Sequence, residues 1–362
     1  MQSLNEKTWA QLPAFGDGAP LCIKTTDSSI DGVRLIDDDE KSVPYITRSD
    51  SNNGLARFVS SKNYEFGSDD GGCITVGLDT QTAFYQPHKF VTGQNIQVIT
   101  GESLNEDVAQ FMVPILRQQM TAKFNWGGNG ATLGRMKRLT VMLPVTDSGE
   151  LDYAYMAEYA QQKRDTMLAK YRTYVEARIA ELGEVAEIPA LDEKEWKPIF
   201  ISSMFELVRG RENNMAMLED GDTPLISAKA NNNGLKGFVH NPKKIIAGQC
   251  ITLNNDGDGG AGLAYYQPAN MALDSHVTAL VPLIDMSAFV MLFIAKCISG
   301  LHGFFGHGLS ISNPRAKRLR IMLPVTDFGE PDYKYMEQYS KNMMLRKCQQ
   351  YLTFLQQRSD AR

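Results

Sequence analysis

One passage of this 362-residue chain is written twice. RLTVMLPVTDSGELDYAYMAEY at 138–159 returns, 180 positions later, as RLRIMLPVTDFGEPDYKYMEQY at 318–339. VPYITRSDSNNGLARFV (43–59) returns at the same offset as TPLISAKANNNGLKGFV (223–239). GGCITV with FYQP, ending at Pro87, is matched by AGQCITL with YYQP, ending at Pro268. Trp9 with Phe15 is echoed by Trp196 with Phe205 at a slightly longer offset. A period of 180 residues far exceeds the ~20–50 of solenoid repeats, so each copy is a domain in its own right and the chain is a tandem duplication.

Bulk properties narrow the class. With 43% hydrophobic and 22% charged residues, the composition is that of a soluble globular protein, which excludes disordered and collagen-like chains. The longest apolar run, AFVMLFIAKCISG (288–300), is broken by Lys296 and falls short of a membrane span. The N-terminus MQSLNEKTWAQL lacks the basic and apolar regions of a signal peptide. Five scattered cysteines without a CxxC pair fit neither a disulfide framework nor a zinc site. These features predict a cytoplasmic, metal-free protein.

A net charge of −5 argues against nucleic acid only if the charges are mixed, and here they are segregated. No acidic residue lies between Asp107 and Asp147, a window holding Arg117, Lys123, Arg135, Lys137 and Arg138. The pattern recurs between Asp285 and Asp327, with Lys296, Arg315, Lys317, Arg318 and Arg320. Acids gather instead in DDDE (37–40) and ELGEVAEIPALDEKE (181–195).

Alternating or β-branched runs bounded by turn residues predict strands at PYIT, GCITVGL, IQVIT and LTVMLPV, and at PLIS, QCITLN, VTALVPL and LRIMLPV in the second copy. Apolar spacings of three and four predict helices over 106–120 and 287–298. Each copy is therefore an α+β domain, with strands dominating. A long polar helix follows in each half, over Asp152–Leu182 and Asp332–Gln357. The first carries Met156, Tyr159, Ala160, Met167, Tyr171, Tyr174, Ile179 and Leu182 at spacings of three and four, and the second Met336, Tyr339, Met343, Tyr351 and Leu355. Such stripes predict that the helices pair with each other rather than each covering its own domain.

Catalytic and metal signatures fail on inspection. GGNGATLG (127–134) lacks the GK[ST] ending of a phosphate loop and precedes a strand rather than a helix. Asp256 and Asp258 have calcium-loop spacing, but no glutamate closes that loop. His276, His302 and His307 read as local polar residues rather than a ligand set, and no asparagine-proline-proline-aromatic motif of an amino-methyltransferase occurs. Both WGGNGATLGRMKRL and FFGHGLSISNPRAKRL run from a glycine-rich loop through a basic cluster into a strand. Loop amides and basic side chains together hold phosphate oxygens, which positions a protein on DNA. A solvated basic turn is the plainer reading of either copy alone; the recurrence favours phosphate.

The order Trp, P-x-I-[ST], NNG, CIT, YQP, glycine-rich loop, K-R-L, MLPV and G-E-x-D-Y-x-Y-M, given twice over almost the whole chain, resembles the specificity subunit of type I and BcgI-like type IIB restriction-modification systems. The resemblance implies a target recognition domain over 1–150, a spacer helix over 151–184, a second recognition domain over 185–330 and a second spacer helix over 331–362. The two helices would form an antiparallel coiled-coil spacer between readers of a split double-stranded DNA site. It further implies no catalysis in this chain. Methyltransferase and endonuclease partners, separate or fused, would carry the S-adenosylmethionine and Mg.

The recognition loops are where the copies differ. Beside NNG the first copy has Arg48, Ser49, Asp50 and Ser51, and the second Ala228, Lys229, Ala230 and Asn231. Arg48 suits guanine and Asn231 adenine by their bidentate edges. The candidate interface comprises Arg48, Ser49, Asp50, Asn52 and Asn53 with Lys123, Arg135, Lys137 and Arg138 in the first copy. In the second it comprises Lys229, Asn231, Asn232, Asn233 and Lys236 with Arg315, Lys317 and Arg318. Tyr85 and Tyr266 are candidates for stacking, with a core role the plainer alternative. A duplicated glycan-binding module and an enzyme with an unrecognised site are the competing classes. Salt-dependent binding to duplex DNA separates them from the first.

Overall fold

Central strands buried on both faces read as continuous apolar runs rather than alternating ones, and CITVG and CITLN are such runs. The computed structural model describes residues 2–38, 40–124, 129–212, 217–257, 260–306 and 308–360, the side chains of 359 and 360 excepted. The chain divides into two units, Met1–Tyr171 and Arg172–Arg362.

In the first unit the strands are β1 (Trp9–Pro13), β2 (Cys22–Thr25), β3 (Lys41–Ile46), β4 (Leu55–Ser60), β5 (Cys73–Gly77), β6 (Ala83–Gln86), β7 (Val91–Thr92), β8 (Ile96–Thr100) and β9 (Thr140–Pro144). The helices are α1 (Glu106–Lys123), the single turn α2 (Leu133–Met136) and α3 (Tyr153–Leu182), whose last residues belong to the second unit. An antiparallel sheet of order β2-β8-β5-β6 packs on α1, and Ile74, Val76 and Ile99 meet Val108, Met112, Leu116 and Met120 in one core. A smaller sheet of order β4-β3-β7 carries the hairpin that holds RSDSNNG, and β1 pairs with β9 to join the two ends of the unit. Asn105 starts α1 by accepting a hydrogen bond from the Val108 amide at 3.0 Å.

The second unit repeats this plan with β10 (Trp196–Phe200), β11 (Phe205–Arg209), β12 (Asp220–Ile226), β13 (Leu235–Val239), β14 (Ile245–Ile246), β15 (Cys250–Asn254), β16 (Ala264–Gln267), β17 (Met271–Leu273), β18 (Val277–Pro282) and β19 (Arg320–Pro324). Its helices are α4 (Ala288–Ser299), the short α5 (Asn313–Lys317) and α6 (Tyr333–Asp360). The sheets run β11-β18-β15-β16 and β13-β12-β17-β14, with β10 paired to β19. All eight predicted strands and both pairs of predicted helices form; β1, β2, β4, β6 and β7 and their counterparts are too short or too exposed to stand out by periodicity.

The twice-written passage is the junction between sheet and long helix. Asp152 caps α3 through the Tyr155 amide at 2.9 Å and pairs with Lys7 at 2.7 Å; Asp332 caps α6 through the Tyr335 amide at 3.1 Å and pairs with Lys194 at 2.8 Å. Trp9 stacks on Phe111, which meets Tyr159 edge-on at 5.6 Å, and Trp196, Phe293 and Tyr339 repeat the contact at 5.5 Å. Met156 and Met336 are fully buried beneath these rings. The recurrence of LPVTDxGExDYxYM is thus set by packing and capping.

Two expectations are corrected. Phe205 does not occupy the place of Phe15: opposite the equivalent residues Ile99 and Leu280 stand Ile23 and Leu207, so Phe205 takes the place of Leu21. The predicted stripe on α3 does not run its full length, since Met167, Tyr171 and Tyr174 are 69%, 48% and 59% exposed while Val175 is buried. Spacing alone cannot tell a seam from a solvent face that carries large amphipathic side chains.

The Lys7 ammonium and the Tyr155 amide hold the Asp152 carboxyl below its ordinary value. The stabilisation is therefore present above the unfolded carboxyl range and fades as pH falls through the depressed folded value. Asp152→Ala is expected to cost about 0.5–2 kcal/mol by denaturant unfolding at pH 7. The deficit relative to wild type should shrink below about pH 4.

Candidate nucleic-acid interface

Side-by-side asparagines followed by glycine are suited to a backbone that turns left-handed, and the NNG segments do so in both units. Asn52, Asn53 and Gly54 have φ of 51°, 54° and 76°, and Asn232, Asn233 and Gly234 have 50°, 51° and 77°. The turn is fastened from beneath. Gln86 donates to the Asn53 carbonyl and to the Thr75 hydroxyl, both at 2.9 Å; Gln267 donates to the Asn233 carbonyl at 2.9 Å and to Thr252 at 3.1 Å. These bonds account for the paired recurrence of NNG, CIT and YQP. The asparagine side chains at 52, 53, 231, 232 and 233 are exposed.

Four loops meet at this end of each unit. The Leu78 amide, in the turn after β5, donates to the Asn95 carbonyl at 3.0 Å, and the Leu78 carbonyl accepts from Ala131 of the glycine-rich loop at 2.8 Å. In the second unit the Asn255 amide donates to the His276 carbonyl at 2.8 Å, and the Asn255 carbonyl accepts from Ile311 at 2.6 Å. Arg48 of the hairpin loop forms an ion pair with Asp79 of the same turn. Asp50 pairs with Arg117 at 2.6 Å, and that guanidinium lies over the Phe84 ring at 5.2 Å. Arg48 and Asp50 are thus brought to the turn after β5 and to Arg117, Ser49 bonds Ser51 at 2.9 Å, and Asn129 reaches back to the carbonyl of Lys123 at 2.9 Å.

The basic clusters sit on short helical turns, so the expectation that the glycine-rich loop leads straight into a strand is corrected: α2 and α5 intervene before β9 and β19. Residues 125–128 of that loop lie outside the described residues. Arg135 folds back to the Gly130 carbonyl at 3.0 Å and Arg315 to that of Ser310, while Lys137, Arg138, Lys317 and Arg318 are exposed. Arg135 and Arg315 therefore brace the loop, and the other four carry their charges at the surface. In the second unit Lys229 donates to the Leu235 carbonyl at 3.1 Å and, with the exposed Lys236, lines a cleft of about 640 Å³ that also includes Asp256, His276 and Ser310.

Tyr85 and Tyr266 pack against the cores, as the plainer alternative had it. Burial raises both phenols above their usual range, with Gln249 accepting from Tyr266 at 2.7 Å. Burial likewise pushes the Cys73 thiol up to about 12 and the Cys250 thiol to about 11, so neither is a nucleophile at neutral pH. Among the described residues no group of three His, Cys, Asp or Glu could hold a metal ion; Asp258 and His307 lie outside them. His276 pairs with Asp256 at 2.7 Å and His302 contacts the Ala261 carbonyl at 2.5 Å. Sequence reading missed Asp79, Asn95 and Asp256 as members of the loop end. An acid at the same distance beyond CIT in both copies was the available signal.

The molecule is thus a duplicated α+β protein whose two units each present a fastened hairpin loop beside a basic turn. The model of the type I restriction modification DNA specificity domain matches residues 32–168 and 193–351, and the chain belongs to that family. It is similar to the type II restriction enzyme BgcI specificity subunit S.BcgI of Heyndrickxia coagulans, with 24% identity over 306 residues, 84% of this chain and 86% of the relative. Among solved structures it aligns with a type I restriction-modification S subunit from M. genitalium at 13% identity and a TM-score of 0.46, over 100% of this chain and 94% of that one. It aligns with an HsdS subunit from Thermoanaerobacter tengcongensis at 14% identity and a TM-score of 0.32, over 96% and 91%. No described helix is long and apolar enough to cross a membrane.

A methyl group at position 234 would meet the Ser227 carbonyl oxygen at 2.9 Å on a backbone of φ 77°. Gly234→Ala is expected to lower stability by about 1–3 kcal/mol in urea unfolding, whereas Gly237→Ala, whose added methyl meets nothing within 4 Å, should change it by less.

Proposed function

We propose that the chain is the DNA specificity subunit of a restriction-modification complex, each unit reading one half of a bipartite double-stranded target across an unread gap. The observation that carries this is the duplication of the loop end: both family-domain matches coincide with a unit that gathers hairpin loop, turn and basic helical turn in one place. Membership of the family leaves a duplicated glycan-binding module without support.

The hairpin-loop residues serve as base readers. Lys137, Arg138, Lys317 and Arg318, with Lys123, serve as phosphate contacts that fix position and carry no sequence information. The division into recognition domains over 1–150 and 185–330 with spacer helices over 151–184 and 331–362 belongs to the same proposal. At 1.5 Å per residue, α3 and α6, of 30 and 28 residues, span roughly 45 and 42 Å, more than one small domain needs. Within the second unit, the end of α3 meets α6 where Arg178 Nε lies 3.4 Å from Met344 Sδ, and the Asn342 side chain bonds both backbone groups of Ala186. These contacts support an antiparallel coiled-coil spacer.

Methyl transfer and cleavage belong in this reading to partner chains, separate or fused, which carry S-adenosylmethionine and Mg. The likeness to a type II specificity subunit over 84% of the chain favours a type IIB system over type I. The complex works in the cytoplasm.

Replacing Arg138 or Arg318 by Ala is expected to weaken binding to all duplex sequences about equally and to reduce the slope of log affinity against log salt by about 0.9. Titration at several salt concentrations reads both quantities. A changed base preference with an unchanged slope would contradict the phosphate assignment.

A further inference from the structure

We propose that Asp79 and Asp256, at the same place in the two units, position the side chain that reads a base in each half-site: Arg48 in the first unit and His276 in the second. This rests on the DNA-specificity reading above and names residues for it.

Strand register establishes the equivalence. Ile74 stands opposite Ile99 and Ile251 opposite Leu280 in matching sheets. Counting from these pairs, Asp79 matches Asp256 and Asn95 matches His276. Ile46 and Ile226 each face the first residue of the next strand, Leu55 and Leu235, so Arg48 matches Ala228. A carboxylate on a face meant for phosphate is repelled by the ligand unless it is occupied by a donor of its own protein. Both carboxylates are so occupied, but by different donors.

In the first unit Asp79 accepts from Arg48 and, at 3.3 Å, from the Asn95 side chain. In the second the arginine is gone. The turn after β15 is longer there, and its backbone runs so close to the hairpin that a methyl group on Gly257 would lie 3.2 Å from Ala228 Cβ and one on Gly260 2.7 Å from the Ala228 carbonyl oxygen. Alanine at 228 has no side-chain donor to offer Asp256. The donor to the carboxylate comes instead from the next turn, where His276 Nδ1 lies 2.7 Å from Asp256 Oδ1. Both held side chains keep a face to solvent, Arg48 at 43% and His276 at 56% exposure. His276 does so inside the cleft that Lys229 and Lys236 share.

The chemistry differs accordingly. After its bond to Asp79 the Arg48 guanidinium retains N–H donors, which match the O6 and N7 acceptors of guanine. With Nδ1 held by Asp256, His276 has Nε2 left to meet a hydrogen-bonding group on a base edge. A held side chain loses less freedom on binding than a mobile one, so the acid sharpens selection without touching the base.

The test is selection of bound duplexes from a randomised library by the full wild-type chain, His276→Ala, Asp256→Asn, the double variant and Asp79→Asn, each first shown to unfold at the wild-type temperature. His276→Ala should relax one or two neighbouring positions of a single half-site by roughly 5- to 150-fold while the other half-site keeps its base preference, and the Asp256 carboxylate it uncovers should also weaken binding to all duplexes. Asp256→Asn should relax the same positions, and the double variant no more than His276→Ala alone, as expected of groups acting as one unit. Asp79→Asn should relax only the other half-site. Variants that select the wild-type target, or Asp256→Asn weakening all sequences uniformly with an altered slope, would overturn the assignment while leaving the specificity reading in place. Absence of salt-dependent duplex binding by the wild-type chain would overturn that reading and this assignment together.

Discussion

Two backbone hydrogen bonds through one turn hold each reading end together. Leu78 in the first unit, and Asn255 in the second, donate to one neighbouring loop and accept from the glycine-rich loop. A buried polar group left unpaired costs more than a bond contributes, so these loops stay joined when the surface residues around them change. The side chains that differ between the copies are carried on this fixed frame, and the same plan can present an arginine in one unit and a histidine in the other.

The frame depends on packing far from the loops. Continuous burial of β5 and β15 under α1 and α4 fixes which way each following turn emerges. The capped and ion-paired junctions at Asp152 and Asp332 fix where the long helices leave the sheet. A chain of net charge −5 nonetheless presents exposed lysines and arginines together, because its acids lie elsewhere in sequence or are taken up by pairing, as Asp79 is by Arg48. Net charge describes the whole molecule, whereas a phosphate within a Debye length meets only the local field.

Much of this was legible in the sequence because the chain states it twice. The duplication, the central strands, α1 and α4 and the long helices all follow from repeated words and periodicity. NNG and YQP were visible as words, but their joint meaning, a left-handed turn pinned by a glutamine some 33 residues away, needs the fold. The pairing of Arg48 with Asp79 crosses 31 positions and has no local signature. His276 was read as a local polar residue, and its pairing with Asp256 agrees; its place in the cleft beside Lys229 and Lys236 needs the fold. The stripe on α3 is covered at its ends, where Met156 is buried and Ile179 and Leu182 are half-buried, but is exposed at Met167, Tyr171 and Tyr174: tyrosine and methionine occur at helical spacing on an exposed face as readily as in a seam, and only burial separates the two.

The central claim is that one chain carries two independent readers, each complete in its own unit. Exchanging residues 196–324 for the matching segment of a relative with a different target, and determining the sites bound by the chimera, tests it most directly. The account predicts that one half of the target changes to the donor's sequence while the other half is kept. A change in both halves, or a target unrelated to either parent, would contradict it.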